Sequence, residues 1–441
     1  MIRRAHKVLA PRTSTAPRAP AGRSDNTVLL HNIGELATLA GPARPRRGPE
    51  MRELGILHEA AVFIADGRIA EVGASREVEA RHPSAAVKMD LTGKVVVPGF
   101  VDAHTHALFA GSREDELEWK REGLSYREIA ARGGGIASTV RKTREATDDV
   151  LRLETVARLQ SMLRHGTTTA DVKSGYGLSV DQEVRGLQIL PRAAEEAGVE
   201  IIPTFLGAHA VPSEYEGRTS DYTDLVAGSM VETVARQTST RFCDVFVEEG
   251  YFTADQGRRI LLAARRYGLD ARVHADELTA SGGAELAADV GAVTADHLLH
   301  STNAGLAEMA GKNVIAVLLP GTSFTSRLPY ADARKLLGLD LAVALGTDLS
   351  PNSWIESLQS VMSIAVHHSG MTAAEALTAV TVNGAHAVGK GGEIGTVEPG
   401  KRADLLVLDV PNHRHLGYRH GNSVEMVLRA GRVVHRRPAP T

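Results

Sequence analysis

The sequence predicts an α/β protein in which a (β/α)8 barrel of the TIM type accompanies a small β-sandwich domain built from both chain ends. Between residues 95 and 348, short and continuously apolar runs alternate with amphipathic segments. Continuous apolar runs of this length are typical of parallel strands that are covered on both faces. On either side of this region the apolar runs are shorter, alternate with polar residues and are broken by turn residues, which indicates β-hairpins.

The barrel prediction depends on a count of eight strand-like runs. They occupy residues 95–104, 167–173, 201–209, 244–249, 271–277, 292–300, 314–320 and 341–348. The segments between them, such as 151–166, 180–198 and 253–268, have the periodicity and terminal residues of helices. Eight such units within about 250 residues are typical of a (β/α)8 barrel. Residues 353–370 and 372–389 are predicted to be helical and to close the barrel region.

The remaining segments define the domain organisation. Residues 27–94 and 395–441 each contain short runs around turns, for example the hairpin signal Asp66-Gly67. Neither segment is large enough to form a core alone, so we expect both to combine into one small domain beside a barrel of residues 95–394. Residues 1–26 are rich in arginine and proline, and we expect a disordered basic tail there.

Composition narrows the functional class. The chain has 441 residues, 43% apolar and 23% charged residues, and a formal net charge of −3. This balance is that of an ordinary soluble enzyme and gives no reason to expect a nucleic-acid partner. The single cysteine, Cys243, excludes an internal disulfide framework and fits a cytoplasmic setting. No apolar run approaches the ~20 residues that a membrane span requires, so no membrane partner is expected.

Four side chains at predicted strand ends form a candidate metal site. His104 and His106 are two residues apart, so their side chains point to one face if the strand continues that far. Alone, this pair fits either a metal site or the cap of a loop. His274 and Asp348 stand at matching ends of other strands. Three imidazoles and one carboxylate suit zinc or iron and leave a position for a water molecule that the ion would activate.

Several motifs carry a family resemblance. VVPGFVDAHTH, HADE, ADH and GTD, in this order, resemble the amidohydrolase superfamily of metal-dependent hydrolases. The blocks GGGI (133–136), KSGYGL (173–178) and GAHAVP (207–212) are more specific and are similar to the imidazolonepropionase family of histidine degradation. The likeness covers roughly residues 90 to 390.

This resemblance implies a reaction and a cofactor. The reaction is hydrolytic ring opening of 4-imidazolone-5-propanoate to N-formimidoyl-L-glutamate. The family holds one zinc or iron ion per subunit (Zn2+, Fe2+ or Fe3+), on residues that match His104, His106, His274 and Asp348. Relatives with two ions usually carry a bridging lysine at strand four, whereas strand four here ends in Glu248-Glu249, so one ion is expected. The resemblance also implies a homodimer.

The same resemblance suggests roles for substrate-binding residues. Arg113 is expected to take the propionate carboxylate as a bidentate pair, although without the resemblance a solvated arginine would be the default. Tyr176, in the turn SGYG, is expected to reach the carboxylate or the ring. His209 fits a fourth metal ligand equally well by sequence alone, and the resemblance favours contact with the ring carbonyl.

Three residues are expected to move protons. His297 suits a base for the attacking water or a group that polarises the carbonyl. Asp348 is a second candidate for accepting the proton of that water. Glu277 lies three residues after His274 and is expected to contact the substrate ring and to pass a proton to the departing ring nitrogen.

One segment departs from the family pattern. Where the family usually has D-x-N-P-G-[ST]-S, this chain has DLSPNSW, so that Ser350 replaces an asparagine and Asn352 a glycine. With Ser353, these residues are expected to contact the carboxylate region of the product. Two other functions stay open: an aminohydrolase of the same superfamily acting on a purine, pyrimidine or similar heterocycle, and a metal-free, non-catalytic barrel.

Overall fold

Two eight-stranded sheets dominate the computed structural model, which describes residues 26–124, 128–129 and 132–438. The predicted basic tail lies outside the described residues, apart from Asn26. One sheet forms the barrel, and the other is made from the two chain ends. No helix in the described residues combines the length and apolar character needed to cross a lipid bilayer.

The barrel sheet contains the eight predicted strands in chain order, and every neighbouring pair is parallel. We number strands in chain order through the whole protein. The barrel strands are β6 (Phe100–Asp102), β7 (Thr167–Lys173), β8 (Glu200–Ala208), β9 (Phe242–Val247), β10 (Asp270–Ala275), β11 (Thr294–His297), β12 (Ile315–Leu318) and β13 (Val343–Leu345).

The barrel closes between its first and last strands through hydrogen bonds just beyond their ends. The amide of Asp348 donates to the carbonyl of His104 at 3.0 Å, and the amide of His106 donates to the carbonyl of Leu349 at 2.9 Å. The carboxylate of Asp102 accepts the amide of Thr347 at 3.0 Å. Closure therefore brings the His104–His106 segment directly beside Asp348.

The second sheet combines strands from residues 27–98 and 405–436. Its order is β16-β15-β14-β5-β1-β2-β3, with β4 paired to β1. As predicted, Asp66 and Gly67 form the two-residue turn between β2 and β3, both with positive φ, at 51° and 78°. The strands are β1 (Thr27–Ala37), β2 (Ile56–Ala65), β3 (Arg68–Ala74), β4 (Val87–Asp90), β5 (Val95–Pro98), β14 (Leu405–Leu408), β15 (Val424–Arg429) and β16 (Arg432–Arg436).

The run 95–104, expected as one barrel strand, is divided between the two sheets. Its first part is β5, which pairs with β14 and β1, and its second part is β6, which pairs with β7. Gly99 separates them, and a Cβ atom there would lie only 2.4 Å from Oγ1 of Thr168. The apolar pattern is continuous because both pieces are fully buried, so hydrophobicity alone did not reveal the change of sheet.

Helices cover the outside of the barrel. Several begin at an N-cap that satisfies free backbone amides, such as Thr253, whose hydroxyl accepts the amide of Gln256. The α-helices are α1 (Ser75–Arg81), α2 (Asp115–Arg121), α3 (Gly135–Glu145), α4 (Asp148–Arg164), α5 (Val180–Ala197), α6 (Thr219–Leu225), α7 (Val231–Gln237), α8 (Ala254–Arg266), α9 (Gly283–Val290), α10 (Asn303–Lys312), α11 (Pro320–Ser326), α12 (Ala333–Gly338), α13 (Leu358–His368), α14 (Ala373–Ala379), α15 (Val382–Ala387) and α16 (His415–Tyr418). Short 3-10 turns lie at Gly48–Arg52 and Ser213–Tyr215, and a π-helical turn lies at Val226–Met230.

Candidate active site

A cavity of about 700 Å³ lies at the carboxyl ends of the barrel strands. Ten of the twelve predicted site residues line it, so the structure brings together nearly all of the residues selected from the sequence. His104 lies fully buried beneath the cavity, and Ser353 is buried behind Ser350. The ten lining residues are His106, Arg113, Tyr176, His209, His274, Glu277, His297, Asp348, Ser350 and Asn352.

The four predicted metal ligands converge at the inner end of this cavity. The Nε2 atom of His106 lies 3.2 Å from Nε2 of His104 and 3.2 Å from Nε2 of His274. The Oδ1 atom of Asp348 lies 3.5 Å from Nε2 of His104 and 3.4 Å from Nε2 of His106. Ligand atoms of a tetrahedral ion with bonds of ~2.1 Å stand about 3.4 Å apart. These separations therefore match what such an ion requires.

Two carboxylates behind the imidazoles orient their other ring nitrogens. Nδ1 of His104 lies 2.6 Å from Oδ2 of Asp296, and Nδ1 of His274 lies 3.1 Å from Oδ2 of Asp244. A proton on Nδ1 of His104, donated to Asp296, leaves the Nε2 lone pair directed at the cluster, which is the usual arrangement of histidine ligands. Burial lowers the pKa of His104, and this favours its neutral, ligating form. The donor set fits a divalent metal ion.

Lys173 connects the two carboxylates. Its Nζ atom lies 2.7 Å from Oδ2 of Asp244, 3.6 Å from Oδ2 of Asp296 and 3.0 Å from Oδ2 of Asp171. All four side chains are fully buried. Although burial opposes it, attraction to these aspartates raises the pKa of Lys173, so the lysine is charged. It acts as a fixed counter-ion for the groups that orient the histidines.

His297 and Glu277 stand beside the cluster. His297, His104 and His274 form a second group of close ligand atoms, which overlaps the group of His104, His106 and Asp348. Nε2 of His297 lies 3.7 Å from Oε2 of Glu277, whose side chain is 16% exposed. Burial lowers the pKa of His297, whereas burial and then the charge of Asp348 raise the pKa of Glu277 to about 8. An imidazole whose pKa is lowered and a carboxyl group whose pKa is raised are thus adjacent.

The backbone is strained at these strand ends. Asp276, His297 and Asp348 have φ values of 54°, 75° and 51°, in the left-handed region that residues other than glycine seldom adopt. Such conformations cluster at functional sites because the surrounding contacts must hold them. Thr322 provides one of these contacts, since its hydroxyl donates to Oδ2 of Asp348 and leaves Oδ1 facing the imidazoles.

His209 packs against the metal cluster and has a defined tautomer. Its ring stacks on that of His106 with centroids 4.8 Å apart. Its Nδ1 lies 3.1 Å from the carbonyl oxygen of Gly175, which can only accept, so Nδ1 carries the proton. Burial lowers the pKa of His209 to about 3, and Nε2 is therefore a hydrogen-bond acceptor. In this state Nε2 can accept a hydrogen bond from an N–H of a ligand. It has no proton to donate to the ring carbonyl oxygen, the partner that the family resemblance suggested.

Arg113 is a buried member of an ion pair rather than a solvated side chain. Its Nε and Nη2 atoms donate to the two carboxylate oxygens of Glu116 at 2.7 and 2.6 Å. Glu116 also accepts the amide of Gly135 at 2.7 Å, which ties the GGGI segment to the arginine. This bidentate geometry fixes the plane of the guanidinium at the outer end of the cavity.

The segment after β13 is closed by its own hydrogen bonds. The amide of Ser350 donates to the carbonyl of Ser353 at 3.0 Å, and the amide of Ser353 donates to Oγ of Ser350 at 3.2 Å. Oδ1 of Asn352 accepts from Nζ of Lys120 at 3.0 Å, and its Nδ2 donates to Oγ of Ser326 at 3.2 Å. Ser350 and Asn352 line the cavity, whereas Ser353 supports the turn.

Two further carboxylates, Glu183 and Glu248, hold the loops of the site. Glu183 accepts the amides of Gly175, Gly177 and Leu178 at 3.1, 2.9 and 2.7 Å, and so fixes the turn that carries Tyr176. Glu248 accepts the amides of Leu278 and Thr279 at 2.8 and 3.2 Å, next to Glu277. The burial of Glu183 in helix α5 could not be predicted from the pattern of apolar residues, because the sequence does not distinguish one buried acid in a helix from a solvated one.

Three further histidines do not belong to the cluster. His367 and His368 are exposed on α13, and His300 is half-buried beyond β11.

Comparisons with known proteins agree with this geometry. The model of the Amidohydrolase family matches residues 95–434. An imidazolonepropionase of Geobacillus sp. is 45% identical over 413 residues, covering 92% of this chain and 97% of that protein. An imidazolonepropionase of Clostridium tetani is 40% identical over 413 residues, covering 93% and 98%.

Solved structures show the same fold at lower sequence identity. The guanine deaminase of E. coli superimposes with a TM-score of 0.71 at 16% identity, covering 93% of this chain and 99% of that one. A zinc-bound adenosine deaminase from Xanthomonas campestris gives a TM-score of 0.66 at 19% identity, covering 92% of each chain.

The barrel, the imidazole–carboxylate cluster at its strand ends and the family match define the class: the chain belongs to the amidohydrolase family. Within that family, identity of 40–46% over nearly the full length places it among the imidazolonepropionases.

Proposed function

We propose that this protein hydrolyses the cyclic amide C–N bond of 4-imidazolone-5-propanoate and releases N-formimidoyl-L-glutamate, as a step of L-histidine degradation. The observation that carries the proposal is one cavity with two chemically different ends. A buried imidazole–carboxylate cluster lies at the inner end, and the Arg113 guanidinium lies at the outer end. A cyclic amide with a carboxylate tail matches both ends.

The inner end is proposed to bind one divalent metal ion, zinc or iron, through His104, His106, His274 and Asp348. These ligands supply imidazole nitrogen and carboxylate oxygen, which both metals accept. The chemistry that such an ion supplies when bound is acidification of water and polarisation of a carbonyl oxygen.

The chain's own residues are proposed to move the protons. His297 is neutral because burial lowers its pKa, so it can accept a proton from the attacking water, and Asp348 is the alternative acceptor. Glu277 has its pKa raised to about 8 by burial and by Asp348. It therefore holds a proton near neutral pH and can deliver it to the ring nitrogen as the C–N bond breaks.

The remaining side chains are proposed to orient the substrate. Nε2 of His209, an acceptor in the tautomer that the contact with the Gly175 carbonyl favours, would accept a hydrogen bond from a ring N–H of the substrate. Arg113, in the plane set by Glu116, would face the propionate, with Tyr176 between the ring and the tail. Ser350 and Asn352 would contact the carboxylate region of the product, with Ser353 holding their turn.

A cytoplasmic homodimer is part of the proposal, by analogy with the family.

The test is an assay with 4-imidazolone-5-propanoate made freshly by urocanase, using protein loaded with zinc or with iron. We expect loss of the imidazolone absorbance at a rate proportional to enzyme and to bound metal. Guanine, adenine and cytosine serve as comparison substrates. Turnover of one of these, with none of the imidazolone, would replace the proposal with a deaminase.

A further inference from the structure

Among the described residues, two cations line the outer end of the cavity, and one of them is already neutralised. Arg113 is paired with Glu116 through two hydrogen bonds of 2.7 and 2.6 Å, and both side chains are buried. Although burial opposes it, the guanidinium lowers the pKa of Glu116, so the acid is charged and the pair has no net charge. An incoming carboxylate meets a well-oriented donor there but little net attraction.

Lys120 is the second cation, and its environment differs. It lies in α2 one helical turn beyond Glu116 and lines the cavity together with Arg113. Among the described residues no carboxylate forms an ion pair with Lys120, and its one hydrogen bond runs from Nζ to Oδ1 of Asn352 at 3.0 Å. Burial, followed by the charge of Arg113, lowers the pKa of Lys120. The ammonium is thus partly desolvated, and no carboxylate of the described residues lies within ion-pair distance of it.

Asn352 fixes the position of this ammonium. Its Oδ1 accepts from Lys120, while its Nδ2 donates to Oγ of Ser326, so the amide is held from both sides. An ammonium has three donors and Asn352 uses one of them. Asn352, which stands where the family usually has glycine, therefore orients the Lys120 ammonium without neutralising its charge.

We propose that Lys120 is a specificity-determining residue that binds the side-chain carboxylate of substrate and product next to Arg113. This inference rests on the proposed function. Of these three side chains, Arg113 and Glu116 cancel in charge, so Lys120 contributes one positive charge for one carboxylate. Arg113 sets the orientation of the carboxylate, and Lys120 supplies the net attraction that selects an acid over an uncharged side chain.

The experiment compares two stable probes that differ only in that charge. N-formimidoyl-L-glutamate carries the side-chain carboxylate, and N-formimidoyl-L-glutamine carries an amide there. Their dissociation constants are measured by calorimetry on metal-loaded protein. For the unaltered protein we expect the acid to bind about 10- to 100-fold more tightly than the amide, as for a hydrogen bond to a charged group.

The variant Lys120→Met should weaken binding of the acid by about 10-fold or more and leave the amide within about 3-fold, so that the preference collapses. Lys120→Arg should restore most of the preference. The matched control is Arg121→Met, which removes the same charge from the adjacent residue of α2, whose side chain is 72% exposed. It should leave both constants unchanged.

Equal weakening of both probes by Lys120→Met, or no change in either, would overturn the inference. So would an unaltered protein that opens the imidazolone ring yet binds the two probes alike, and in that case the proposed function stands. Absence of ring opening by the unaltered, metal-loaded protein would instead remove the proposed function itself.

Discussion

The two ends of the cavity are built in different ways. The inner end consists of side chains on or directly after barrel strands, such as His104 and His274, and buried carboxylates on other barrel strands lie beside their second ring nitrogens. The outer end consists of side chains on loops and on the short helix α2, such as Arg113 and Lys120. There, Glu116 holds Arg113 and the amide of Asn352 holds Lys120.

This difference separates the reaction from the choice of substrate. Strand ends are fixed by the hydrogen bonding of the barrel, so a ligand set placed there is precise and can be shared by enzymes with many substrates. Loops vary without disturbing the barrel, so they can adapt the outer end to one substrate. Substitutions at the inner end should therefore lower turnover or metal binding, and those at the outer end should change affinity.

The largest expected effect is at the centre of the ligand cluster. Replacing His106 with Ala removes the nitrogen that lies 3.2 Å from two other ligand nitrogens. We expect kcat/KM to fall by roughly 1,000-fold or more and the bound metal to be lost. Elemental analysis and steady-state kinetics on the same preparation test this. Full activity without stoichiometric metal would contradict it.

The next effect separates proton transfer from metal binding. His297→Asn should lower kcat by about 100- to 10,000-fold, as expected for loss of a general base, with one metal ion per chain retained. His300→Asn, a half-buried histidine three residues further along the chain, is the control and should retain activity. A His297 variant with nearly normal kcat/KM and bound metal would eliminate its assignment as the base.

A smaller effect is expected for the buried carboxylates that lie behind the metal ligands. Asp244→Asn removes the charge that lies 3.1 Å from Nδ1 of His274 and 2.7 Å from Nζ of Lys173. We expect metal affinity to fall by about 10- to 100-fold, measured by competition with a chelator. The control is Asp270→Asn, at the exposed start of β10, the strand that carries His274. It should leave metal affinity unchanged. Equal affinities for both variants would show that Asp244 does not orient the ligand.

The smallest effect concerns the loops of the outer end. Glu183→Gln weakens the acceptor of three amides in the Tyr176 turn, so we expect KM to rise about 10-fold and the free energy of unfolding to fall by about 1–3 kcal/mol. Glu195→Gln, an exposed acid on the same helix α5, is the control. Kinetics and chemical denaturation measure the two effects. An unchanged KM would mean that the turn does not position the substrate.

The difference between strand ends and loops also explains which features the sequence could predict. All eight barrel strands were found, because continuous apolar runs mark strands buried on both faces, and the ligands followed from the strand ends. The division of residues 95–104 between two sheets was not predictable from hydrophobicity, since β5 and β6 are equally buried.

The sequence also could not predict which side chains contact one another within the site. Asp244 and His274 are 30 residues apart, and their contact depends on the pairing of β9 with β10. The Arg113–Glu116 pair has the spacing of an ordinary solvated pair on a helix surface. Only the fold shows that the Arg113–Glu116 pair is buried. It also shows that Lys120, one helical turn beyond Glu116, lines the cavity and forms no ion pair among the described residues.

The most direct test of the central claim, ring opening at the strand-end cluster, is product analysis in oxygen-18-labelled water. We expect N-formimidoyl-L-glutamate with one labelled oxygen in the carboxylate formed from the ring carbonyl, and no release of ammonia. Release of ammonia with an intact ring, or a product with the label elsewhere, would contradict it.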